Sequence, residues 1–212
     1  MYNLPYYKAS GHQDVIEFMH QHPFITLCGV DADGKPVATH IPVLISERDG
    51  KLFLNAHIMR KQDHTLAFDS NKNVLAIFTG AHTYVSASLY ENKNVGSTWN
   101  YQAVHAHGTL RFLDKDELRH ILVTLTDTFE NNPHSPALVK HMTEEYVEDM
   151  MRAIVALEIE VTDLQNVFKL SQNRDKKSFN NIVNHLAASE DAEARAVADA
   201  MTKEKSKVKS EK

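Results

Sequence analysis

The sequence contains one cysteine, Cys28, and no apolar run long enough to span a membrane. A single cysteine excludes an intramolecular disulfide and points to a reducing compartment. It lies in the strand-like run Phe24–Val30 with no activating neighbour, so it reads as a small hydrophobe, not a nucleophile. The N-terminal stretch MYNLPYYKASGHQDV lacks both the basic and the apolar region of a signal peptide, which leaves a cytoplasmic, membrane-free protein as the expectation. The glycine-rich fingerprints of dinucleotide and P-loop sites are missing, as are the hydrolase nucleophile elbow and any repeat of 20 to 50 residues. The 13 histidines lack the spacing of a zinc motif. His105 and His107 would share one face of a strand over Val104–Gly108, but such pairs more often form hydrogen bonds or dimer contacts, and no metal is expected. A net charge of −5 over 212 residues argues against a surface dominated by nucleic-acid contacts, while leaving room for a local basic patch.

The patterning that is present is mainly strand-like. A first helix is expected near Gln13–Gln21, ended by Pro23. Phe24–Val30 and Lys35–Ile45 read as a hairpin around Asp31-Ala32-Asp33-Gly34, and Asp49-Gly50 turns into a strand at Lys51–Ala56. Further strands are expected at Val74–Phe78, Thr83–Ser88 and Val104–Phe112. Asp114 with Glu117 forms a capping box before the apolar stripe Leu118, Ile121, Leu122 and Leu125, and Ser135-Pro136 looks like a second helix start. Val155–Val161 alternates as a strand with one buried face, and Gln165–Leu170 is expected to pair with it. Asn180–Leu186 and Ala192–Met201 read as terminal helices, and the charged stretch from Lys203 as disordered. Many short strands with late helices favour a decorated small β-barrel over a doubly wound sheet.

Three polar clusters could carry chemistry. Arg60 and Lys61 stand between the strand at Lys51–Ala56 and a short helix around Leu66 and Ala67, a placement that suits a phosphate monoester. On spacing alone, a solvated surface pair is the commoner explanation. The segment Tyr84–Gly108 gathers Trp99, Tyr84, Tyr90 and Tyr101 beside Ser86, Asn100 and Gln102, which suits either a planar heteroaromatic ligand or ordinary core packing. Lys169-Leu170-Ser171-Gln172-Asn173 is the third, readable also as a strand-to-helix cap.

Several blocks together resemble the PaiB-type FMN-binding proteins. They are Met1-Tyr2 with Pro5, His22-Pro23-Phe24, Ala38-Thr39-His40-Ile41-Pro42, Phe78-Thr79-Gly80, Tyr84-Val85-Ser86, Thr98-Trp99-Asn100-Tyr101 with Val104-His105, and Lys169–Asn173. The resemblance implies a mainly β, α+β fold: an FMN-binding split β-barrel like that of the pyridoxamine-phosphate-oxidase-like flavoproteins, with inserted and C-terminal helices. Combined with the patterning above, this gives a split-barrel domain with inserted helices over 1–172, a C-terminal helical extension over 173–202 and a disordered charged tail over 203–212. The resemblance also implies FMN as cofactor, a homodimer with flavin at the subunit interface, and negative transcriptional regulation, with DNA as a partner by resemblance only.

Carried over by position, the resemblance places Arg60 and Lys61 on the FMN phosphate. Thr39, His40, Ile41, Pro42 and Val43 would run beside the ring, and Asn55 and His57 would lie near the ribityl-phosphate end. Tyr84, Ser86, Trp99, Tyr101 and Gln102 would come from the interface region, while Lys169, Ser171 and Gln172 would close over the isoalloxazine edge. The chain departs from the family pattern at Ala81, Ala87, Leu89 and Gly96-Ser97, which removes a stacking partner and leaves the phosphate grip intact. The leading expectation is a PaiB-type regulator or flavin-linked sensor. The alternatives are a flavin-dependent reductase or oxidase of a small heteroaromatic substrate and, behind it, a haem-binding split barrel.

Overall fold

A computed structural model describes residues 1–210 and divides the chain into two compact units. Unit 1 comprises Met1–His22, Phe78–Val104 and Gln165–Lys212; unit 2 comprises Pro23–Ile77 and His105–Leu164.

Unit 2 starts as the expected hairpin. Strands β1 (Phe24–Val30) and β2 (Pro36–Pro42) pair antiparallel from Phe24↔Pro42 to Val30↔Pro36. Their turn closes because Asp31 Oδ1 accepts the N–H groups of Asp33 and Lys35 at 3.0 and 2.8 Å, while Gly34 supplies a φ of +82°. The run expected to continue to Ile45 breaks at Val43. Pro42 has no N–H to donate, and the Val43 N–H turns to the Pro23 carbonyl at 2.9 Å. A second hairpin follows, β3 (Leu44–Arg48) with β4 (Lys51–Met59), and then helix α2 (Asp63–Ser70).

Three long strands, β5 (Asn73–Val85), β6 (Thr98–Phe112) and β7 (Ile154–Lys169), run through both units. The sheet order is β2-β1-β5-β6-β7-β4-β3. β2 and β3 therefore stand at opposite ends of the order, yet only Val43 separates them in the chain. Unit 2 must curl until those ends come together, and β2 packs against β4 as this requires. The result is the open, α+β barrel expected from the resemblance.

The strands expected at Val74–Phe78 and Thr83–Ser88 are one strand, β5, which stops at Val85. Its burial alternates through Gly80, slips by a residue at Ala81–His82 and resumes at Thr83, so the sequence pattern reads as two. Gln165–Leu170 likewise continues β7 as far as Lys169 and does not pair with it, because Thr162 and Asp163 are exposed positions along a strand, not a turn. Nor does β7 bury a single face: Ile154 to Ile159 are all buried. The second face is covered by helices α3 (Lys115–Glu130) and α4 (Glu144–Ala153), whose Leu118, Ile121, Leu122, Leu125, Val147 and Met151 pack with Ile154 and Ala156.

The capping box holds as read, with Glu117 N–H on Asp114 Oδ1 at 2.9 Å and Asp114 N–H on Glu117 Oε2 at 3.1 Å. Ser135-Pro136, by contrast, starts no α-helix. Ser135 Oγ donates to Glu130 Oε2 at 2.6 Å and accepts from Ala137 N–H at 3.2 Å, which closes a turn, and α4 waits for its cap at Thr143.

Gly108 on β6 is the glycine of this unit that lies tightest against neighbouring backbone. A β-carbon there would lie 2.5 Å from the Glu160 carbonyl oxygen and 2.6 Å from Ile159 Cγ2. Backbone cannot yield as a flexible side chain can. Gly108→Ala is therefore expected to cost about 3 kcal/mol or more, read as a fall in the urea midpoint, whereas Gly96→Ala, in open space, should be nearly silent.

Unit 1 contains α1 (His12–Gln21), α5 (Lys176–Ala187) and α6 (Ala192–Ser210). α6 carries helical structure beyond Lys203, where irregular chain was expected. Glu204 extends the buried stripe Ala194, Val197, Ala198 and Met201 and accepts from Ser10 Oγ at 3.2 Å, and Lys203 pairs with Glu17 at 2.7 Å. Charge alone does not unfold a segment whose charges find partners. Glu211 and Lys212 of the expected tail lie outside the described residues.

Candidate functional site

In unit 2, β4 ends with Met59 opposite Ile154, and Arg60 N–H donates to the Ala153 carbonyl at 2.9 Å. That bond fixes the first cation at the end of the ladder. Lys61 follows with φ of +59°, a left-handed conformation disfavoured for any side chain. Helix α2 then begins after Gln62, which supplies no side-chain cap. Asp63 Oδ1 takes up the His64 N–H at 2.7 Å, and among the described residues the rest of the first turn lacks a side-chain acceptor.

Arg60 and Lys61 are both exposed, and among the described residues neither side chain has a hydrogen bond or ion pair. Arg60 lines a groove with Lys115, Leu118, Glu148, Met151 and Arg152. There Lys115 is bonded to Glu148 at 2.6 Å and Arg152 to Asp149, so Arg60 is the groove's cation without a carboxylate.

Thr39–Val43 covers the end of β2, an edge strand in the sheet order, so alternate backbone groups turn away from β1. Ile41 and Val43 are buried, and His40 is exposed and stacks with Phe24 at 6.3 Å. The segment can therefore offer main-chain groups and little side-chain chemistry beyond Thr39 and His40. Asn55 and His57 project from one face of β4. The Asn55 amide donates an N–H to Glu158 Oε2 at 3.0 Å, whereas His57 Nδ1 is shut off from water with no partner among the described residues. Burial lowers the His57 pKa below 6.5, so the ring is neutral at pH 7. Two unpartnered cations and one orphaned ring nitrogen fit a phosphorylated ligand with polar linker groups.

Burial likewise lowers the pKa of His22 and His105. For each of these histidines the unfolded chain takes up a proton near pH 6.5 while the folded state resists it, so stability is full above that pH and lost below it. Urea unfolding of flavin-free protein should give a flat midpoint from pH 7 to 8 and a falling one from 6.5 to 5. His57→Gln should make the fall shallower.

Unit 1 holds the remaining predicted residues. Tyr84 and Trp99 are both 52% exposed and meet edge to face at 6.1 Å. Ser86 spends its hydroxyl on the Ser88 N–H, and Tyr101 and Gln102 are half-buried. Lys169 Nζ donates to Thr98 Oγ1. Ser171 is buried at φ +62° with its hydroxyl on Asn100 Oδ1 at 3.0 Å, and the Gln172 amide is committed to Leu170 N–H at 2.8 Å and the Phe168 carbonyl. Ser171 and Gln172 thus hold the connection between β7 and α5, while Tyr84 and Trp99 present free ring surface.

Sequence reasoning missed Glu158. It pairs across the ladder with Asn55, it is buried, and it takes bonds from Arg48 and Arg111 as well. Its alternation with buried apolar residues gave it the look of a solvent-facing position. Among the described residues, no three His, Cys, Asp or Glu side chains are grouped to hold a metal ion, and no helix is long and apolar enough to cross a membrane.

The family model described as "Putative FMN-binding domain" matches residues 1–163. The Protease synthase and sporulation protein PAI 2 of Bacillus subtilis (strain 168) is 32% identical over 201 residues, 95% of this chain and 96% of that one. Two solved structures share the fold. The FAD and haem binding protein from Mycobacterium smegmatis superposes with a TM-score of 0.57 at 20% identity, covering 76% of this chain and 72% of the other. The conserved hypothetical protein Rv2991 from Mycobacterium tuberculosis does so at 0.56 and 14%, covering 82% and 92%.

Proposed function

The chain belongs to the FMN-binding domain family, and from that premise we propose that unit 2 holds FMN with its phosphate on Arg60 and Lys61. The observation that carries this is the pair of exposed cations without partners at a left-handed turn between β4 and α2. The outer edge of β2 at Thr39–Val43 offers backbone groups to the ring, and His57 Nδ1 and Asn55 serve the ribityl-phosphate end. Bound FMN supplies reversible electron transfer. The protein's own part is to grip the anion, shield the neutral His57 from water and fix the orientation of Asn55 through Glu158.

The wider role we propose is that of a PaiB-type homodimer acting as a flavin-linked sensor with a regulatory output. The name of the Bacillus subtilis relative, which ties that protein to protease synthesis and sporulation, supports this direction. The first test is a visible spectrum of the purified protein with mass analysis of what denaturation releases. FMN is expected, and haem or nothing refutes the assignment. Sedimentation should give twice the chain mass. Duplex DNA binding that weakens steeply with salt would support direct regulation, and none at low salt would refute it.

The exposed Tyr84–Trp99 pair favours a second reading, a flavin oxidoreductase of a small heteroaromatic substrate. Turnover with NADH or NADPH would favour it over a sensor.

A further inference from the structure

In unit 1 tyrosine rings lie beside two cations: Arg174, which the flavin reading does not use, and Lys169, which the resemblance set at the isoalloxazine edge. Tyr6 and Tyr7 meet edge to face at 4.4 Å, and Tyr2 reaches Tyr7 at 6.4 Å. The Arg174 guanidinium lies 4.1 Å from the centre of the Tyr90 ring, and Lys169 Nζ lies 5.7 Å from that of Tyr2. Neither cation has a carboxylate partner among the described residues. The nearest acid in sequence, Asp175, is spent on the α5 N-terminus, where it accepts from Lys177 and Ser178 N–H and from Ser178 Oγ.

Tyr90 is the second observation. The residue is 1% exposed and, among the described residues, its hydroxyl has no hydrogen-bond partner. A buried phenol left in that state is destabilising, a cost that an acceptor brought by a ligand would relieve. Tyr90 and Arg174 both act electrostatically on the Tyr7 hydroxyl, which places the three in one neighbourhood.

We propose that Lys169, Arg174 and the hydroxyl of Tyr90, walled by Tyr2, Tyr6 and Tyr7, form a binding site for a small aromatic carboxylate. A guanidinium stacked on a ring keeps its N–H edge free for a planar anion, and the ammonium adds a second charge. The tyrosine rings select an apolar, flat body over a bare oxyanion. Burial and the Arg174 charge already lower the Lys169 pKa, the state a counter-ion would reverse. The site draws on unit 1 alone and does not depend on the Arg60–Lys61 assignment. An anionic group of the flavin itself would have the same chemistry, so the experiment must separate the two sources.

Benzoate, benzamide and inorganic phosphate would each be titrated calorimetrically into flavin-loaded and flavin-free protein. Benzoate should bind at least tenfold more tightly than either control in both preparations. Arg174→Gln should weaken benzoate at least tenfold with FMN content unchanged, and Tyr90→Phe several-fold with no loss of thermal stability. Benzoate binding no better than benzamide shows the charges idle; binding no better than phosphate shows the rings idle; either overturns the site. Loss of FMN together with benzoate in Arg174→Gln would assign the cations to flavin and also overturn it. Should Arg174→Gln fail to fold, Tyr90→Phe and the three-probe comparison on the unaltered protein still decide.

Discussion

Replacing Arg60 and Lys61 together by alanine is expected to raise the FMN dissociation constant at least a hundredfold while leaving the flavin-free protein as stable as before. Each charge-assisted bond to a phosphate contributes about 1.5–3 kcal/mol, so two removed cations amount to roughly a hundredfold to ten-thousandfold. Stability should hold because both side chains are exposed and, among the described residues, neither has a hydrogen bond or ion pair to lose. Lys61 allows a sharper test, since at φ of +59° its β-carbon is strained. Lys61→Gly removes the ammonium and relieves that strain by about 1 kcal/mol. It should therefore weaken FMN about tenfold or more and raise the urea midpoint of flavin-free protein. A purely structural lysine could not give both signs at once. Fluorescence titration of FMN measures the first and urea unfolding the second, and retention of affinity within threefold in the double variant would falsify the phosphate assignment.

How far the sequence reveals this protein depends on how local each determinant is. The Asp31–Gly34 turn and the Asp114–Glu117 box are local hydrogen-bond programs, and both are legible. Residues that answer to distant partners are not. Nothing near Ser135-Pro136 says that Glu130 will capture the serine, and nothing in the β7 alternation says that α3 and α4 will cover its second face. Ala81–His82 shows how a one-residue slip makes one strand look like two. For the candidate site, the cation pair could be found by its place between a strand and a helix, and family likeness raised it above a surface feature. The commitment of Ser171 to Asn100 and of Gln172 to its own backbone depends on tertiary packing that no motif records.

Glu158→Ala is expected to be the most damaging polar substitution in unit 2, at about 2–4 kcal/mol, or roughly 5–15 °C in Tm for a chain of this size. The carboxylate is buried and accepts from Arg48 Nη2 at 2.5 Å, Arg111 Nη2 at 2.8 Å, Arg111 Nε at 3.0 Å and Asn55 Nδ2 at 3.0 Å. Truncation strands the Asn55 amide and opens a void beside it. The cost stays below the extreme for a buried ion pair because the Arg48 and Arg111 side chains are 51% and 57% exposed and can turn to water. Burial is the largest single influence on Glu158 and opposes its charge, yet the bonds from Asn55, Arg111 and Arg48 together outweigh it and hold the pKa below 4.5. The sign follows: this contribution is present above the unfolded pKa of about 4.3–4.5 and is lost as pH falls through the lower folded value. Glu158→Gln, which keeps the volume but not the charge, should cost less than alanine and should flatten the acid limb of the stability curve below pH 4.5. If the alanine variant unfolds within 1 kcal/mol of the parent at pH 7, the network is ornamental and Asn55 needs another anchor.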